Sequence, residues 1–345
     1  MITLTFNPKQ INKNFLLELP DRSQNILIHR YGLGKDAKKE TLDAIGKKYG
    51  VTRERVRQIE NYSLKNIKKS DSFKSAETEV VFKELIEVIK SLGEVVVEND
   101  LLNHLSKDKQ IQNNFLLMLI LGDSFTKGKE DSEFKSCWFV DKKLSKEILA
   151  ALKNLHKEFD ESKLVQEDKV ISTVYKNNKF KTRDKEDIRR WLSLSKVIGK
   201  NPFDEWGLSK SPDVKVKGIR SHAYLVVRQN GSPMHFKEVA KMIQKHFNKK
   251  VHVATCHNEL IKDKRFVLVG RGLYALSEWG YTEGIVKDVI KAILEKEGPL
   301  GKDEIIERVL KERYVKDNTV AVNLQNSNFF NKNEDGTYSI LQLIV

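Results

Sequence analysis

The stretch TLDAIGKKYGVTRERVRQIENYSLKNIKK, Thr41 to Lys69, decides how the start of this chain folds. Apolar residues at helical spacing lie on both sides of Gly50 and predict two helices. Gly50 can adopt the positive φ of a sharp turn, and Gly46 allows two helices to approach closely. Thr52 has the identity of an N-cap, whose hydroxyl would accept a bond from a free amide of the next turn. The stretch therefore predicts a helix-turn-helix whose second helix begins at Arg53.

The first turns of the second helix carry polar side chains away from the predicted core. These residues form a candidate DNA-contacting group: Thr52, Arg53, Glu54, Arg55, Arg57 and Gln58. Arginine can bind the acceptor edge of guanine, glutamate can accept from the cytosine amino group, and glutamine can pair with adenine. The alternative is a solvated charged face, in which Glu54 only favours the positive end of the helix dipole. The agreement of turn, cap and polar group favours a helix that enters the major groove of DNA.

The same stretch carries a resemblance to a known family. The sequence from Arg22 to Lys69, with TLDAIG at Thr41 to Gly46 and VTRERVRQIE at Val51 to Glu60, resembles region 4 of the bacterial sigma-70 factors. The resemblance implies that residues 19–69 form a domain whose second helix contacts a −35-type promoter element through the polar group defined above. It also implies binding of the domain to the β flap of core RNA polymerase. Because few residues precede the domain, we expect that the chain is not a complete sigma factor.

Length and composition point to several small domains in a reducing compartment. At 345 residues with 39% hydrophobic content, the chain suits two to four domains with small cores. Its two cysteines, Cys137 and Cys256, are too few for a disulfide framework. No apolar run has the length of a membrane span. We therefore expect a bacterial cytoplasmic protein, associated with the nucleoid and not with a membrane.

The net charge of +14 is concentrated in two blocks. Residues 35–69 have a net charge of +6 and residues 215–272 of +10, whereas residues 273–345 have a net charge of −3. Concentrated positive charge favours a polyanionic partner through counterion release. The two basic blocks are therefore expected to contact double-stranded DNA, and the acidic end of the chain to contact protein.

The remaining sequence predicts a mainly α fold with small β-hairpins, of the α+β class. We expect a helix-turn-helix domain followed by tandem winged-helix domains, since the order helix, strand, two helices and hairpin is typical of a winged helix. The predicted parts beside the helix-turn-helix are an N-terminal arm (1–18), a winged helix (76–141), a connecting helix (142–159), a degenerate winged helix (160–214) and two repeated winged helices (215–280 and 281–345).

The last two parts are predicted from a weak internal repeat. Gly272-Leu273-Tyr274 returns as Gly336-Thr337-Tyr338, in the predicted final hairpin of each copy. The first copy, with HFKEVAKMI at His235 to Ile243 and RFVLVGRGLYAL at Arg265 to Leu276, resembles the HARE-type winged helix. That family includes the δ subunit of RNA polymerase and contains both DNA-binding and protein-binding members.

Four cations near the predicted third helix and wing of the first copy favour DNA, and not protein, as its partner. These secondary phosphate-contacting candidates are Lys262, Lys264, Arg265 and Arg271. The second copy lacks this positive charge.

No pattern of catalytic or cofactor-binding residues is found. His252, Cys256 and His257 have helical spacing, but they lack the second ligand pair of a typical zinc site. A phosphate-binding loop with its Lys and Ser/Thr is missing, as is a set of nucleophile, base and orienting residue. We therefore expect no enzymatic activity, no metal and no cofactor.

The leading hypothesis is a DNA-binding transcription regulator that recognises a promoter and associates with RNA polymerase. The alternatives are an RNA polymerase accessory subunit of the δ type, which acts mainly through protein contacts, and the DNA-binding part of a restriction or defence system.

Overall fold

The computed structural model describes residues 4–160, 164–176, 180–282 and 284–341. The fold is mainly helical with small antiparallel sheets, which confirms the predicted class. The chain divides into two compact units. The first comprises residues up to 199 with 206–209, and the second comprises 200–205 with the residues from 210 onward. Within the described ranges, no helix is both long and apolar enough to cross a bilayer.

The first unit begins with four helices, and the last two form the predicted helix-turn-helix. The helices are α1 (Pro8–Leu17), α2 (Asp21–Tyr31), α3 (Leu42–Tyr49) and α4 (Arg53–Lys69). The prediction of an arm over residues 1–18 is wrong, since α1 buries Ile11, Phe15 and Leu16 in the largest core cluster of the unit. Residues 1–3 of that range lie outside the described residues.

The next part has the order of elements predicted for residues 76–141. It contains α5 (Ala76–Ser91), β1 (Val95–Val97), α6 (Glu98–Leu105), α7 (Lys109–Leu121), β2 (Thr126–Gly128) and β3 (Cys137–Phe139). The strands form an antiparallel sheet in the order β1-β3-β2, with Trp138 of the central strand opposite both Val96 and Lys127.

Helix α7 joins this part to the helix-turn-helix domain. Its second half, Phe115 to Leu121, is apolar all round, as in a helix covered on several sides, and the helix packs on α1, α2 and α4. Its buried Asn113 donates from Nδ2 to the carbonyls of Gly32 and Ala37, both at 2.9 Å. Gln110 donates to the carbonyl of Leu33 at 2.8 Å. The third helix of this part therefore holds the loop that precedes α3 and does not face solvent.

The third part has the same plan, and here the predicted boundaries are wrong. It consists of α8 (Lys142–His156), β4 (Val165–Gln166), α9 (Glu167–Tyr175), α10 (Lys185–Leu192), β5 (Ile198–Lys200) and β6 (Glu205–Leu208), with sheet order β4-β6-β5. Helix α8, predicted as a connector over 142–159, buries Ile148 and Leu152 in one cluster with Ile188 and Trp191 of α10. It is thus the first helix of a full set of elements, not a link to a degenerate domain over 160–214. Residues 161–163 and 177–179 of that range lie outside the described residues.

The second unit contains the residues predicted to form two winged-helix repeats. The first repeat comprises α11 (Ile219–Asn230), β7 (Met234–His235), α12 (Phe236–Phe247), α13 (Val253–Lys262), β8 (Phe266–Gly270) and β9 (Leu273–Leu276), with sheet order β7-β9-β8. The second comprises α14 (Val286–Glu297), α15 (Lys302–Glu312), α16 (Asp317–Leu324), β10 (Phe330–Lys332) and β11 (Tyr338–Ile340). Tyr274 and Tyr338 both lie in the final strand, as the sequence repeat predicts.

Candidate DNA-binding site

The turn between α3 and α4 has the geometry that its residue types dictate. Gly50 ends α3 with a φ of 65°, in the left-handed region that favours glycine. A Cβ on Gly46 would lie 2.6 Å from the carbonyl oxygen of Val51, so only glycine allows this approach. The Thr52 hydroxyl accepts from the amide of Arg55 at 3.1 Å and caps α4. The cap therefore fixes the first turn of α4 in a defined direction.

The inner side of α4 anchors this turn to the rest of the domain. Val56 is fully buried in a small cluster with Ile26 of α2 and Ile45 of α3. One turn later, the buried carboxylate of Glu60 accepts from the hydroxyl of Tyr31 at 2.7 Å. Burial and the neighbouring Glu60 carboxylate raise the pKa of Tyr31, so its hydroxyl remains a donor. Helix α4 is thus held from α2 as well as from α3.

All six residues of the predicted DNA-contacting group are exposed on the outer side of α4. They are Thr52, Arg53, Glu54, Arg55, Arg57 and Gln58. The structure therefore places them together on one helical face, free of contact with the protein core.

Four of these six side chains form two pairs at i,i+3 spacing. Arg57 donates from Nε and Nη2 to the two carboxylate oxygens of Glu54, at 2.8 and 2.6 Å. Arg55 donates from Nη1 to Oε1 of Gln58 at 3.2 Å. The hydrogen bond from Arg57 lowers the pKa of Glu54, which keeps the glutamate an acceptor. In the free protein the two pairs pre-orient the side chains, and both are open to exchange for base edges because they are exposed.

Two surface grooves lie on either side of the first turn of α4. One, of about 560 Å³, is lined by Gly46, Thr52 and Arg53. The other, of about 650 Å³, is lined by Arg22, Gln58 and Tyr62. Arg55 borders both, so the ridge formed by the first turn carries a cation that reaches either groove.

Sequence reasoning did not single out three further cations beside the helix-turn-helix: Lys39, Lys109 and Lys127. Lys39 lies in the loop held by α7, and partial burial together with the charges of Lys109 and Lys127 lowers the pKa of its ammonium group. Lys127 forms an ion pair with Glu98 at 2.6 Å, so the Glu98 carboxylate balances the charge of one of these three lysines. The sequence shows that the loop carries positive charge. It does not show that α7 and β2 lie close to this loop, because that depends on tertiary packing.

The four predicted secondary phosphate contacts differ in their surroundings. Lys262, Lys264 and Arg271 are exposed, as a phosphate contact requires. Arg265 instead pairs with Asp213 at 2.7 Å and with Asp263 at 2.8 Å.

The guanidinium carbon of Arg265 also lies 4.4 Å from the centre of the Tyr224 ring. Burial alone would lower the pKa of Arg265, and the carboxylates of Asp263 and Asp213 outweigh it and raise the pKa. The charge of Arg265 is therefore balanced within the domain, which disfavours the predicted phosphate contact at this residue.

The three residues considered for a metal site have other surroundings. The Cys256 side chain is fully buried, and burial raises the pKa of its thiol to about 11. His257 stacks on Phe236 with ring centres 4.2 Å apart, whereas His252 is an exposed residue at the start of α13. Across the described ranges, no group of three His, Cys, Asp or Glu side chains is arranged to hold a metal ion.

Comparison with known proteins identifies the N-terminal domain. Residues 15–69 match the family described as Sigma-70, region 4, and this range contains the whole helix-turn-helix. The chain is similar to the RNA polymerase principal sigma factor HrdD of Streptomyces griseus, with 44% identity over 52 residues. The similar segment is 15% of this chain, and it covers only 15% of that relative's length. The predicted sigma region 4 domain is therefore confirmed, and this domain indicates a role in DNA binding and transcription.

Proposed function

We propose that this protein is a transcription regulator that recognises a −35-type promoter element through the first turns of α4 and associates with RNA polymerase. The observation that carries the proposal is the set of six polar side chains exposed together on a capped helix of a sigma-70 region 4 domain. Such a helix matches the width of the major groove of B-form DNA.

The two side-chain pairs on α4 give each residue a proposed role. Arg55 and Arg57 would bind guanine acceptors or phosphates after leaving their partners, Gln58 and Glu54. Glu54 would then accept from a cytosine amino group, and Gln58 would pair with adenine. Arg53, for which the described structure shows no ion pair, would contact the phosphate backbone. Breaking the two side-chain pairs costs free energy, and base contacts offset this cost only when the DNA sequence matches α4. The pairs therefore contribute to specificity.

The packing of α7 supports a rigid arrangement of the domain within the first unit. The loop before α3 is fixed by Asn113 and Gln110, so α3 and α4 meet DNA with little loss of conformational freedom. The parts that follow, with the element order of winged helices, would extend the contact with DNA or polymerase. We further propose that the protein is not an enzyme and that it acts in the bacterial cytoplasm at the nucleoid.

Equilibrium binding to a promoter-like duplex tests the proposal. Glu54→Gln should change the preferred base at one position, because it alters one acceptor on the recognition face. Arg57→Ala should weaken binding to the preferred duplex by about 5- to 150-fold, the range of one good bidentate base contact. A scrambled duplex of the same length should show a much smaller effect of both substitutions. Equal effects on the two duplexes would contradict base recognition by α4.

A second candidate function is an accessory subunit of RNA polymerase that acts mainly through protein contacts, as in the δ subunit. It is favoured by the acidic residues 273–345, which contain exposed apolar side chains at Ile285, Val322 and Phe329. Retention of core polymerase on the immobilised protein, with no preference between promoter and scrambled duplexes, would support this candidate. Retention that requires the β flap, together with duplex preference, would support the leading proposal.

A further inference from the structure

Helix α12 of the second unit carries three lysines along its solvent side. Lys237, Lys241 and Lys245 are spaced at i, i+4 and i+8, so they form one stripe along the helix. All three are exposed, whereas Val239, Ala240 and Ile243 are buried on the opposite side. The stripe spans about 12 Å, from the rise of 1.5 Å per residue.

The described structure gives these lysines no ion-pair partner, although many lysines on other helices have one. Lys47, Lys83 and Lys311 each pair with an acidic residue one turn away on their own helix. On α12 the single acidic residue is Glu238, and it forms no ion pair in the described part of the chain.

The spacing of these lysines places like charges one turn apart on α12. Like charges one turn apart repel each other and destabilise a helix. Lys249 and Lys250 follow α12 in the next loop and add further positive charge beyond its C-terminal end. A polyanion laid along the stripe would remove this repulsion.

We propose that the stripe of Lys237, Lys241 and Lys245 binds the phosphate backbone of duplex DNA, as a second contact separate from α4. The partner is identified by charge and length. A duplex carries one phosphate per 3.4 Å of axis on each strand, so about 12 Å of axis presents three to four phosphates per strand. Lysine suits this contact because its ammonium group binds phosphate as a point charge without specifying sequence.

The stripe differs from the contacts predicted at the third helix and wing of this repeat. Helix α13 exposes the apolar side chains of Val253 and Ile261, and Arg265 is held by two carboxylates. The second helix, and not the third, therefore presents the continuous positive surface of this repeat. This inference extends the proposed function, since both require DNA as the partner, but the stripe contributes affinity and not sequence preference.

The test is the salt dependence of binding by the full chain to a duplex of random sequence. The triple substitution Lys237→Gln, Lys241→Gln, Lys245→Gln should reduce the slope of log K against log salt concentration by about 2 to 3. At 0.1 M salt, binding should weaken by about 10-fold or more. The corresponding triple substitution to arginine retains the charges and should keep the slope.

A matched control removes the same charge elsewhere in the unit. Lys291→Gln, Lys296→Gln, Lys302→Gln changes three exposed lysines of the acidic repeat and should leave the slope unchanged. Far-ultraviolet circular dichroism should show that both triple variants are folded. An unchanged slope in the α12 variant would overturn the proposal, and so would an equal loss in the control, which would assign the effect to net charge. Because the duplex is random, failure here is distinguishable from failure of recognition by α4.

Discussion

Replacing Thr52 with alanine tests whether the cap of α4 sets the recognition surface. The substitution removes the hydroxyl oxygen that accepts from the Arg55 amide at 3.1 Å. Loss of such an N-cap costs about 1 kcal/mol, within a range of about 0.5–2 kcal/mol. At 25 °C this corresponds to about a fivefold increase in the population with a frayed first turn.

The expected results are a fivefold faster exchange of the first-turn amides of α4 and a loss of affinity for the preferred duplex of at most about fivefold, because affinity falls only with the fraction of molecules whose first turn is ordered. Hydrogen exchange measured by mass spectrometry or nuclear magnetic resonance gives the first quantity, and fluorescence anisotropy gives the second. Thr52→Ser keeps a hydroxyl in the same place and should resemble the unmodified protein in both assays.

Thr41 offers a matched control at the neighbouring helix. Its hydroxyl accepts from the amide of Ala44 at 3.2 Å, so Thr41→Ala removes an equivalent cap from α3. That variant should accelerate exchange at the start of α3 and leave the first turn of α4 protected. If Thr52→Ala and Thr52→Ser exchanged at the same rate, the cap would have no role in ordering the first turn.

Three further predictions concern residues whose surroundings the structure defines. Asn113→Ala should destabilise the first unit by about 2–4 kcal/mol in urea unfolding, because it leaves the buried carbonyl of Gly32 and the partly buried carbonyl of Ala37 without their side-chain donor. Amide exchange in the loop before α3 should rise, and unchanged exchange would contradict the role of Asn113 in holding that loop. Gly46→Ala should cost about 1–3 kcal/mol, since its methyl group would overlap a backbone oxygen, and a melting temperature equal to that of the unmodified protein would contradict the close approach. Arg265→Ala should lower thermal stability at neutral pH without changing the salt dependence of DNA binding. Burial raises the pKa of Asp263, but the hydrogen bonds from Arg265 outweigh burial and lower that pKa. The stabilisation by this pair is therefore complete above the ordinary aspartate pKa of about 4 and declines as the pH falls through the lowered pKa. A stability difference of the same size at neutral and at acidic pH would contradict the pairing.

The helix-turn-helix could be predicted because its determinants are local. The positive φ at Gly50, the cap at Thr52 and the spacing of Ile45 and Val56 all act within a few residues of one another. Each of these signals can be evaluated in the sequence without knowledge of the remaining fold.

Tertiary packing explains the errors in the boundaries. Only an arm is predicted over residues 1–18, because the buried Ile11, Phe15 and Leu16 of α1 acquire their partners from α7, about a hundred residues later. Helix α8 was predicted as a connector since amphipathic spacing alone does not reveal what covers the apolar side.

Tertiary packing also determines which candidate site residues are free to contact DNA. Arg265 had the charge expected of a phosphate contact, but its partner Asp213 lies 52 positions away in the sequence. The lysines of α12 could have been found, because their i, i+4, i+8 spacing is visible in the sequence. What the sequence does not show is that no carboxylate of the described structure pairs with them.

Selection of bound duplexes from a random pool tests the central claim most directly. The unmodified full chain should enrich one short recurring motif, and the Arg57→Ala, Gln58→Ala double variant should lose or change that motif while still binding DNA weakly. Recovery of the same motif with the same enrichment from both proteins would show that α4 does not recognise the bases.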